Sequence, residues 1–524
     1  MERRYPIGIQ TFSEIIKKGL VYVDKTDLMW RAQYLSKFIF LSRPRRFGKS
    51  LLSSTFASFF RGEKELFEGL KVMELEQEWV KYPVIHLDLS PTNGCKTAAS
   101  LQETLSFIMR KYLAAYNVSS TLTPGKQLAA IIQNAYDTQH EQVVLIIDEY
   151  DAPLLKVLHD PETLSIVREV MQEFYQTLKP SEEIIRFCFL TGITKFSQLS
   201  IFSTINNLNN ISMLPQFSAI CGITETELAT TLAPDIALLA EAYEETPEQM
   251  HARLKMRYDG YHFSEESEDI YNPFSLFKSF TNQKVDNYWF ESGTPTFLLR
   301  QMQHFRTDIT AMEDIDAAAS DFDLPTEAMQ DALPLLYQSG YLTIKEYDRE
   351  IESYTLSIPN QEVRVGFTEG LIPTYIGLNS ENVRQGFAVK FWRALKADDI
   401  DLALREMQAF FAGLPYVEGF KKKLEDFVKA EGFYEWTFYL IFSMLNLYVR
   451  TQVKTINGRA DMVVNMPNVL YVFELKINGT AQEALEQINS KGYAIPYQTD
   501  GRKVVKVGIR FSMETLAIEE WVEG

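Results

Sequence analysis

A glycine, a lysine and a serine stand together at residues 48–50, and residues of these types in this order can hold phosphate. Backbone N–H groups at the start of a helix attract anions, a lysine can reach the β- and γ-phosphates of ATP, and a serine hydroxyl can bind Mg²⁺. The pattern GxxxxGK[ST] is incomplete, because Arg43 stands where the first glycine is expected. A basic surface turn capped by Ser50 is therefore the alternative interpretation. The residues predicted to bind ATP are Arg46, Phe47, Gly48, Lys49 and Ser50, and Ser50 is also predicted to bind Mg²⁺.

Two adjacent acids, Asp148 and Glu149, follow an apolar run at residues 143–147. A continuous run of this kind is typical of a strand buried on both faces of a parallel sheet, and ligands bind in such sheets beside the carboxyl ends of the strands. Asp148 is therefore predicted to hold Mg²⁺ and to contribute to the ATP site. Glu149 is predicted to orient or deprotonate the attacking water. The alternative is a strand that ends in a solvated acidic turn.

A second set of charged residues, Asp461, Glu474 and Lys476, lies near the end of the sequence. If residues 467–468 form the tip of a tight turn, the antiparallel register places Asp461 directly opposite Glu474, with their Cβ atoms ~5 Å apart. Two carboxylates this close repel each other unless a cation lies between them, and oxygen ligands suit Mg²⁺ or Mn²⁺. Lys476 projects from the same face and is predicted to position or deprotonate a nucleophile. A surface hairpin that carries a charge cluster is the alternative.

The elements around the first site alternate between strands and helices, which predicts a doubly wound α/β domain. The predicted strands are 38–41, 84–89, 143–147 and 186–191, and the predicted helices are 51–60, 97–116, 126–138 and 163–178. The strand at 84–89 and the Glu beside the Asp indicate the additional-strand class of P-loop ATPases. Thr191, at the end of the strand that follows the acidic one, is predicted to sense the γ-phosphate; a strand-end hydroxyl in a local turn is the alternative.

The remainder of the chain is predicted to contain two further regions. Residues 225–430 read as helices with a few short strands, including a hairpin of 341–345 with 354–358, and a small helical or winged-helix-like module is predicted there. Residues 431–524 read as a compact α/β unit in which a long apolar helix leads into strands 459–465 and 469–476, followed by a helix at 481–493 and a strand at 504–511. The predicted domains are therefore 1–224, 225–430 and 431–524.

Composition excludes several classes of protein. The 524 residues are 46 % hydrophobic and 23 % charged, which is typical of a globular chain. Three dispersed cysteines and six scattered histidines argue against a disulfide scaffold and a zinc enzyme, and favour a cytoplasmic location. No apolar stretch reaches the ~20 residues of a membrane span. A net charge of −18 argues against indiscriminate coating of nucleic acid, although a local basic groove for DNA or RNA remains open.

Several longer segments carry a resemblance to a known family. They are Tyr22-Val-Asp-Lys-Thr26, Leu41-Ser-Arg-Pro-Arg-Arg-Phe-Gly-Lys-Ser50, Ile147-Asp-Glu-Tyr-Asp-Ala-Pro153, Leu190-Thr-Gly-Ile-Thr-Lys195, Tyr258-Asp-Gly-Tyr261, Tyr271-Asn-Pro273 and Tyr288-Trp-Phe-Glu-Ser-Gly293. Together they resemble the AAA-ATPase-like family of bacterial and archaeal proteins, over nearly the whole chain. The resemblance implies an AAA-like ATPase domain and a C-terminal domain of the PD-(D/E)XK nuclease superfamily. It also implies that Arg43 is usual in the phosphate loop and that Asp24 and Lys25 lie near the nucleotide.

The resemblance leaves some residues open. Gln487, Lys491 and Tyr493 are similar to the helix motif that supports the nuclease site, with a solvated helix face as the alternative. The superfamily usually has a Glu on the helix before the hairpin, where this chain shows Gln452, and Glu435 is the other candidate. If neither serves, the metal site is weakened. Arg186 and Arg257 are candidates for an arginine finger, although an exposed structural role is the alternative for each.

Two hypotheses follow. In the first, an ATP-binding and ATP-hydrolysing module is coupled to a metal-dependent nuclease that acts on DNA or RNA, with Mg²⁺ at both sites or Mn²⁺ at the nuclease site. In the second, ATP binding switches an interaction scaffold whose nuclease-like domain does not cleave. The oligomeric state is left open, and no membrane partner is expected.

Overall fold

The structure is a computed structural model. It describes residues 3–195, 208–289, 298, 301–302, 304–305, 307, 312, 314–324, 329–367, 390–391, 393–412, 448–455, 458–466, 468–476, 479–498, 501–512 and 517–524, of which 411–412, 448–460 and 465 are described by backbone alone. The chain divides into two compact units. Unit 1 comprises Met1–Phe305 with Asp316–Glu362, and unit 2 comprises Arg306–Ile315 with Val363–Gly524. The predicted domain boundary at 224/225 falls inside unit 1, the boundary at 430/431 lies outside the described residues, and the three-domain division stays a prediction.

The strands up to residue 362 form three sheets. They are β1 (Phe38–Ser42), β2 (Val84–Asp88), β3 (Val143–Asp148), β4 (Ile185–Gly192), β5 (Leu208–Asn210), β6 (Ile223–Thr224), β7 (Ile270–Tyr271), β8 (Ile315–Ala317), β9 (Thr343–Asp348) and β10 (Ser353–Ser357). The main sheet is parallel, in the order β2-β3-β4-β1-β5. Because β4 lies between β1 and β3, the predicted additional-strand arrangement is confirmed.

The α-helices up to residue 362 surround this sheet or follow it. They are α1 (Phe12–Lys17), α2 (Thr26–Leu35), α3 (Lys49–Phe60), α4 (Val72–Leu75), α5 (Ala98–Ala115), α6 (Pro124–Gln139), α7 (Ala152–Leu155), α8 (Pro161–Gln176), α9 (Glu225–Thr230), α10 (Ala233–Ala242), α11 (Pro247–Tyr258), α12 (Pro273–Asn282), α13 (Ala319–Phe322) and α14 (Leu333–Gln338). Every residue of β1 and β3 is buried, as their continuous apolar runs predict. Both long helices α6 and α8 begin two residues before their predicted starts, at a proline. Proline suits the first turn, because its missing N–H would have no helical partner there.

The region after residue 224 in unit 1 is mainly helical, as predicted. Strands β6 and β7 pair antiparallel. Strands β9 and β10 form the predicted hairpin, with bounds shifted by one to three residues, and the three-stranded sheet has the order β8-β10-β9. A winged-helix-like module in this region stays a proposal.

Unit 2 contains a five-stranded mixed sheet. Its elements are α15 (Ile400–Ala412), β11 (Tyr448–Thr455), β12 (Gly458–Asn465), β13 (Val469–Lys476), α16 (Ala481–Lys491), β14 (Lys503–Ser512) and β15 (Ala517–Glu523). The strand order is β11-β12-β13-β14-β15; β13 and β14 are parallel, and the other pairs are antiparallel. Helix α16 connects the parallel pair and packs closely on it, since a Cβ on Gly508 would lie 2.1 Å from the Ala481 carbonyl oxygen.

Unit 2 also corrects one prediction. Gln452 is predicted on or near a helix before the hairpin, but residues 448–455 form β11, paired antiparallel with β12. Pairing with the neighbouring strand satisfies the backbone hydrogen bonds here, which a sequence of mixed polarity does not reveal. The apolar helix predicted from residue 431 lies outside the described residues.

Candidate functional sites

The phosphate loop leaves the sheet at the end of β1 and enters α3 at Lys49. Gly48 is the residue before this helix and has a left-handed backbone, with φ 92°, a conformation that costs glycine least. Ser50 borders the same cavity as Glu149, the residue after Asp148 at the end of β3, and Ser50 lies close enough to Asp148 to lower the pKa of that carboxyl. The structure therefore brings together the two motifs that are 98 residues apart in the printed sequence, as the Mg²⁺ prediction requires.

Lys49 folds back over the loop. Its ammonium group donates to the carbonyl oxygens of Arg43, at 3.1 Å, and Pro44, at 3.2 Å. The side chain is buried, and both of its partners belong to the loop that precedes it. Lys49 is thus held over the phosphate loop at the start of α3, where the helix dipole also favours an anion.

The Arg43 guanidinium is buried within unit 1. It donates to the carbonyl oxygens of Ser212, at 2.7 Å, and Phe217, at 3.1 Å, and lies 4.1 Å from the ring centroid of Phe263. Burial lowers the pKa of Arg43 to about 10. Arg43, which stands where the pattern expects the first glycine, therefore connects the phosphate loop by hydrogen bonds to segments about 170 residues further along the chain.

Arg46 and Phe47 also use their side chains for packing. The Arg46 guanidinium donates to the Tyr288 carbonyl oxygen at 2.7 Å and lies 3.9 Å from the ring centroid of Phe274. The Phe47 ring is buried and contacts Tyr261 edge-on, with 4.7 Å between centroids. Their predicted contribution to ATP binding stays a prediction, and both residues border the cavity described next.

A cavity of about 560 Å³ adjoins the phosphate loop. Its polar wall includes Lys49, Ser50 and Glu149, and its apolar wall includes side chains of the N-terminal segment and of α12, such as Val21 and Phe277. A volume of several hundred Å³ with apolar walls and a few convergent polar groups is typical of a small-molecule site. The space is of the size that a nucleotide needs.

The acids at the end of β3 differ in their environments. Asp148 is buried, and burial raises its pKa to about 6, against the opposing effects of the Ser50 side chain and the Lys49 charge. Glu149 has φ 50°, in the left-handed region, and borders the cavity. Unusual backbone of this kind is concentrated at functional sites, because surrounding contacts must hold it. The placement agrees with the predicted roles of both residues.

Asp151 is a buried acid to which the sequence assigns no role. Its Oδ2 accepts hydrogen bonds from the backbone N–H of Ile193, at 3.0 Å, and from the N–H and hydroxyl of Thr194, both at 2.7 Å. Burial raises the pKa of Asp151 to about 6. Asp151 thus ties the acidic segment to the residues that follow β4. Its position in the Ile147–Pro153 segment quoted above is the one signal that could have drawn attention to it.

Thr191 lies at the end of β4, opposite Leu41 of β1. Its buried hydroxyl donates to the Leu41 carbonyl oxygen at 2.7 Å. This bond joins β4 to the strand that enters the phosphate loop, which is the kind of local role given above as the alternative. A γ-phosphate sensor at Thr191 stays a prediction.

The residues that the family resemblance places near the nucleotide divide into two groups. Lys25 borders the cavity and forms a buried ion pair with Glu227, with 2.5 Å between Nζ and Oε2. Asp24 instead accepts hydrogen bonds from the N–H groups of Thr26 and Lys71, at 2.9 and 2.7 Å, and so supports the start of α2.

The two candidate arginine fingers make contacts within unit 1. Arg186 donates to Gln33 at 3.3 Å, and Arg257 donates to Asn287 at 2.6 Å. Neither of these contacts involves the phosphate loop, so the structural interpretation accounts for both arginines.

The hairpin in unit 2 has the predicted register. Met462 pairs with Phe473 and Val463 with Val472, so Asp461 and Glu474 occupy the next opposite positions. The backbone N–H of Leu475 donates to Asp461 Oδ2 at 2.7 Å. Glu474 is only 2 % exposed, because α16 covers its face of the hairpin through Leu485 and Ile488, so the alternative of a surface hairpin does not describe this residue.

Glu474, Lys476 and Gln487 form one hydrogen-bonded cluster. The Lys476 ammonium lies 3.6 Å from Glu474 Oε1 and donates to Gln487 Oε1 at 2.7 Å. The Gln487 amide donates to Glu474 and, at 3.5 Å, to Tyr493. Burial and the Asp461 charge raise the pKa of Glu474 to about 8, against the effect of Lys476. Gln487 and Tyr493 thus support the site as the resemblance implies, while Lys491 is exposed.

The carboxylates fit a divalent cation. Glu474 Oε2 is buried and has no hydrogen-bond partner among the described residues, and Asp461 and Glu474 supply oxygen ligands of the kind that Mg²⁺ and Mn²⁺ prefer. Across the described ranges, no group of three or more His, Cys, Asp or Glu residues is arranged to hold a metal. Gln452 occupies the β11 position opposite Asp461, between the pairs Thr451–Met462 and Val453–Ala460. Glu435 lies outside the described residues.

Comparisons with known proteins agree with this organisation. Residues 6–202 match a family described as a predicted AAA-ATPase, and residues 429–521 match the PD-(D/E)XK nuclease superfamily. A protein of Azotobacter chroococcum mcd 1, named as an uncharacterized protein in the vnfD 5′ region, is 33 % identical over 533 residues, covering 99 % of this chain and 98 % of its own length. The chain belongs to the AAA-ATPase-like family. This AAA-ATPase-like protein therefore carries an ATPase-like domain and a C-terminal nuclease-superfamily domain, as the sequence predicts.

Solved structures with detectable similarity include two ORC structures. The Aeropyrum pernix ORC2 protein in ADPNP–ADP complexes is 15 % identical, with 64 % of this chain and 87 % of that chain covered and a TM-score of 0.23. Drosophila ORC bound to poly(dA/dT) DNA and Cdc6 is 11 % identical, with 58 % and 45 % covered and a TM-score of 0.23. Scores this low support no conclusion about this AAA-ATPase-like protein. Its α-helices, over the residues that the structure describes, include none with the length and hydrophobicity of a membrane span.

Proposed function

We propose that this protein binds and hydrolyses ATP in unit 1 and, through the carboxylate hairpin of unit 2, hydrolyses phosphodiester bonds of DNA or RNA. The observation that carries the proposal is that Lys49 and Ser50 of the phosphate loop border the same nucleotide-sized cavity as Glu149, the residue that follows β3. It places a phosphate loop and a strand-end acid in one site, as the chemistry of phosphoryl transfer requires. Three free cysteines, one half-buried and two buried, agree with a cytoplasmic location, which we also propose.

At the proposed ATP site, different side chains would hold the phosphates, the metal and the attacking water. The first turn of α3 and the Lys49 ammonium would hold the phosphates, and Ser50 and Asp148 would hold Mg²⁺, which when bound would neutralise charge on the phosphate oxygens. Glu149 would orient the attacking water and accept its proton. Calorimetric titration tests this assignment: the wild type should bind ATP, and Lys49→Ala should not. Unchanged affinity in Lys49→Ala would refute it.

For the nuclease, Asp461 and the buried Oε2 of Glu474 would hold Mg²⁺ or Mn²⁺, which when bound would activate water and stabilise charge on the scissile phosphate. Lys476 would position the nucleophile, and Gln487 would hold both Lys476 and Glu474 in place. Cleavage of single- and double-stranded DNA and RNA should be measured with Mn²⁺, with and without ATP. An effect of ATP on cleavage would support coupling of the two activities.

A nucleotide-switched scaffold without cleavage is the second candidate. It is favoured by one observation: among the described residues, no third His, Cys, Asp or Glu joins Asp461 and Glu474 in a group that could hold a metal. Cleavage by the wild type that does not exceed that of a Glu474→Ala control would favour this candidate over the nuclease.

A further inference from the structure

Lys25 is a buried cation in the wall of the cavity, and the proposed ATP site does not yet use it. The side chain is 10 % exposed, and its ammonium group donates to Glu227 Oε2 at 2.5 Å. A lysine buried this deeply requires a nearby anion, because removing its charge from water is costly. Glu227 supplies that anion in this structure.

Lys25 shares its cavity with the phosphate loop. Lys25, Lys49 and Ser50 all border the same space of about 560 Å³, together with the buried thiol of Cys221. A single ligand in this cavity can therefore meet both ammonium groups.

Glu227 has a second task at the start of α9. Its Oε2 also accepts a hydrogen bond from the Thr224 N–H at 2.9 Å, while the Glu227 N–H donates to Thr224 Oγ1 at 3.1 Å. This reciprocal arrangement is a capping box, which stabilises a helix start. Glu227 can therefore lose Lys25 and still keep an ordered position.

We propose that Lys25 is a second phosphate-binding lysine, and that the triphosphate of a bound nucleotide replaces Glu227 as its anionic partner. A triphosphate carries several negative charges and is the stronger partner for two neighbouring ammonium groups. Glu227 then competes with the nucleotide and sets how tightly it binds. This inference rests on the ATP-binding function proposed above and extends it by one residue and one regulating ion pair.

The test uses conservative substitutions of both partners in the full-length chain. Calorimetric titrations with ATP and with ADP should show that Lys25→Gln weakens ATP binding by roughly tenfold or more, the loss of one charge-assisted contact. Glu227→Gln keeps an oxygen for the Thr224 N–H but removes the competing charge, so it should tighten ATP binding several-fold. Lys71→Gln is the matched control: Lys71 is an exposed neighbour that pairs with Asp27, and its loss should leave the affinity unchanged.

The sign of the Glu227→Gln effect distinguishes the proposal from a purely structural ion pair. A structural pair predicts that removing either partner leaves ATP binding unchanged or weakens it, and either result for Glu227→Gln would overturn the inference, even if Lys25→Gln does not fold. The inference would also be overturned if Lys25→Gln bound ATP with unchanged affinity while Lys49→Ala bound no ATP. That result would still support the proposed ATP site. If the wild type binds no ATP, the proposed function itself fails.

Discussion

Gly192 and Asp151 approach each other so closely that no larger residue fits at position 192. A Cβ on Gly192 would lie 2.4 Å from Asp151 Oδ1 and 2.6 Å from the Tyr150 ring. The carboxylate cannot retreat easily, because Ile193 and Thr194 hold its other oxygen. The end of β4 is therefore packed directly against the segment that carries Asp148 and Glu149.

The first prediction concerns this contact. Gly192→Ala should destabilise unit 1 by about 1–3 kcal/mol, as overpacking does, and should lower ATP turnover because Glu149 lies two residues from the displaced Asp151. Thermal unfolding and ATP hydrolysis provide the measurements. In an Asp151→Ala background the same substitution should cost less, because one of the clashing groups is gone. If Gly192→Ala lowered the free energy of unfolding equally in the wild type and in Asp151→Ala, the clash with Asp151 would not be the cause.

The second prediction concerns Arg43. Arg43→Gly restores the first glycine of the phosphate-loop pattern, yet it should destabilise unit 1 by about 2–4 kcal/mol and weaken ATP binding. The buried carbonyl oxygens of Ser212 and Phe217 would lose their charged donor, and buried acceptors without partners are costly. Thermal unfolding and ATP titration check this. Arg45→Gly is the control for glycine in the loop, and an equal loss there would contradict a special role for Arg43.

The third prediction concerns the buried carboxyl of Glu362. Its oxygens accept hydrogen bonds from the N–H groups of Tyr288 and Trp289, at 2.7 and 2.9 Å, and from the Ser275 hydroxyl. Burial raises its pKa from 4.5 to about 7, so the folded protein binds this proton more tightly than the unfolded chain does. The stability from this group is therefore fully present below about pH 4.5 and is lost as the pH rises to about 7.

Glu362→Gln removes this titration while keeping an acceptor for both N–H groups. The free energy of unfolding of the wild type, relative to that of Glu362→Gln, should fall by roughly 3 kcal/mol between about pH 4.5 and about pH 7.5. Chemical denaturation across this range is the measurement. A constant difference between the two proteins would show that Glu362 has an ordinary pKa. Glu350→Gln, at an exposed position, serves as the control.

The fourth prediction concerns the metal at the hairpin. Mn²⁺ should raise the thermal stability of the wild type, because it satisfies the buried Glu474 oxygen, and Glu474→Gln should lose this effect. At ten times the dissociation constant the gain is about 1.4 kcal/mol. Glu486→Gln, an exposed substitution on α16, should respond to Mn²⁺ as the wild type does. A wild type that gains nothing from Mn²⁺ would argue against a metal site.

Most of the chemistry-bearing residues could be identified from the sequence because their signals are local. The apolar run before Asp148 predicts its strand, and the tight turn at residues 467–468 predicts which residue faces which across the hairpin. The strands that the sequence did not reveal all lie at sheet edges; they are β5, β6, β7, β8, β11 and β15. An edge strand has one neighbour and needs no continuous apolar run, so its sequence carries little signal.

By itself, the sequence indicated which residues are candidates to bind phosphate and metal, and it predicted which strands carry them and which position faces which across the hairpin. Only the tertiary structure decided where the loop side chains point: Arg43, Arg46 and Phe47 pack against residues more than 160 positions away, and no local pattern encodes such contacts. The tertiary structure also decided that α16 buries Glu474 and that Lys25 meets Glu227. Spacing along the chain sets the chemistry that is available, whereas burial and partners depend on segments that meet only after folding.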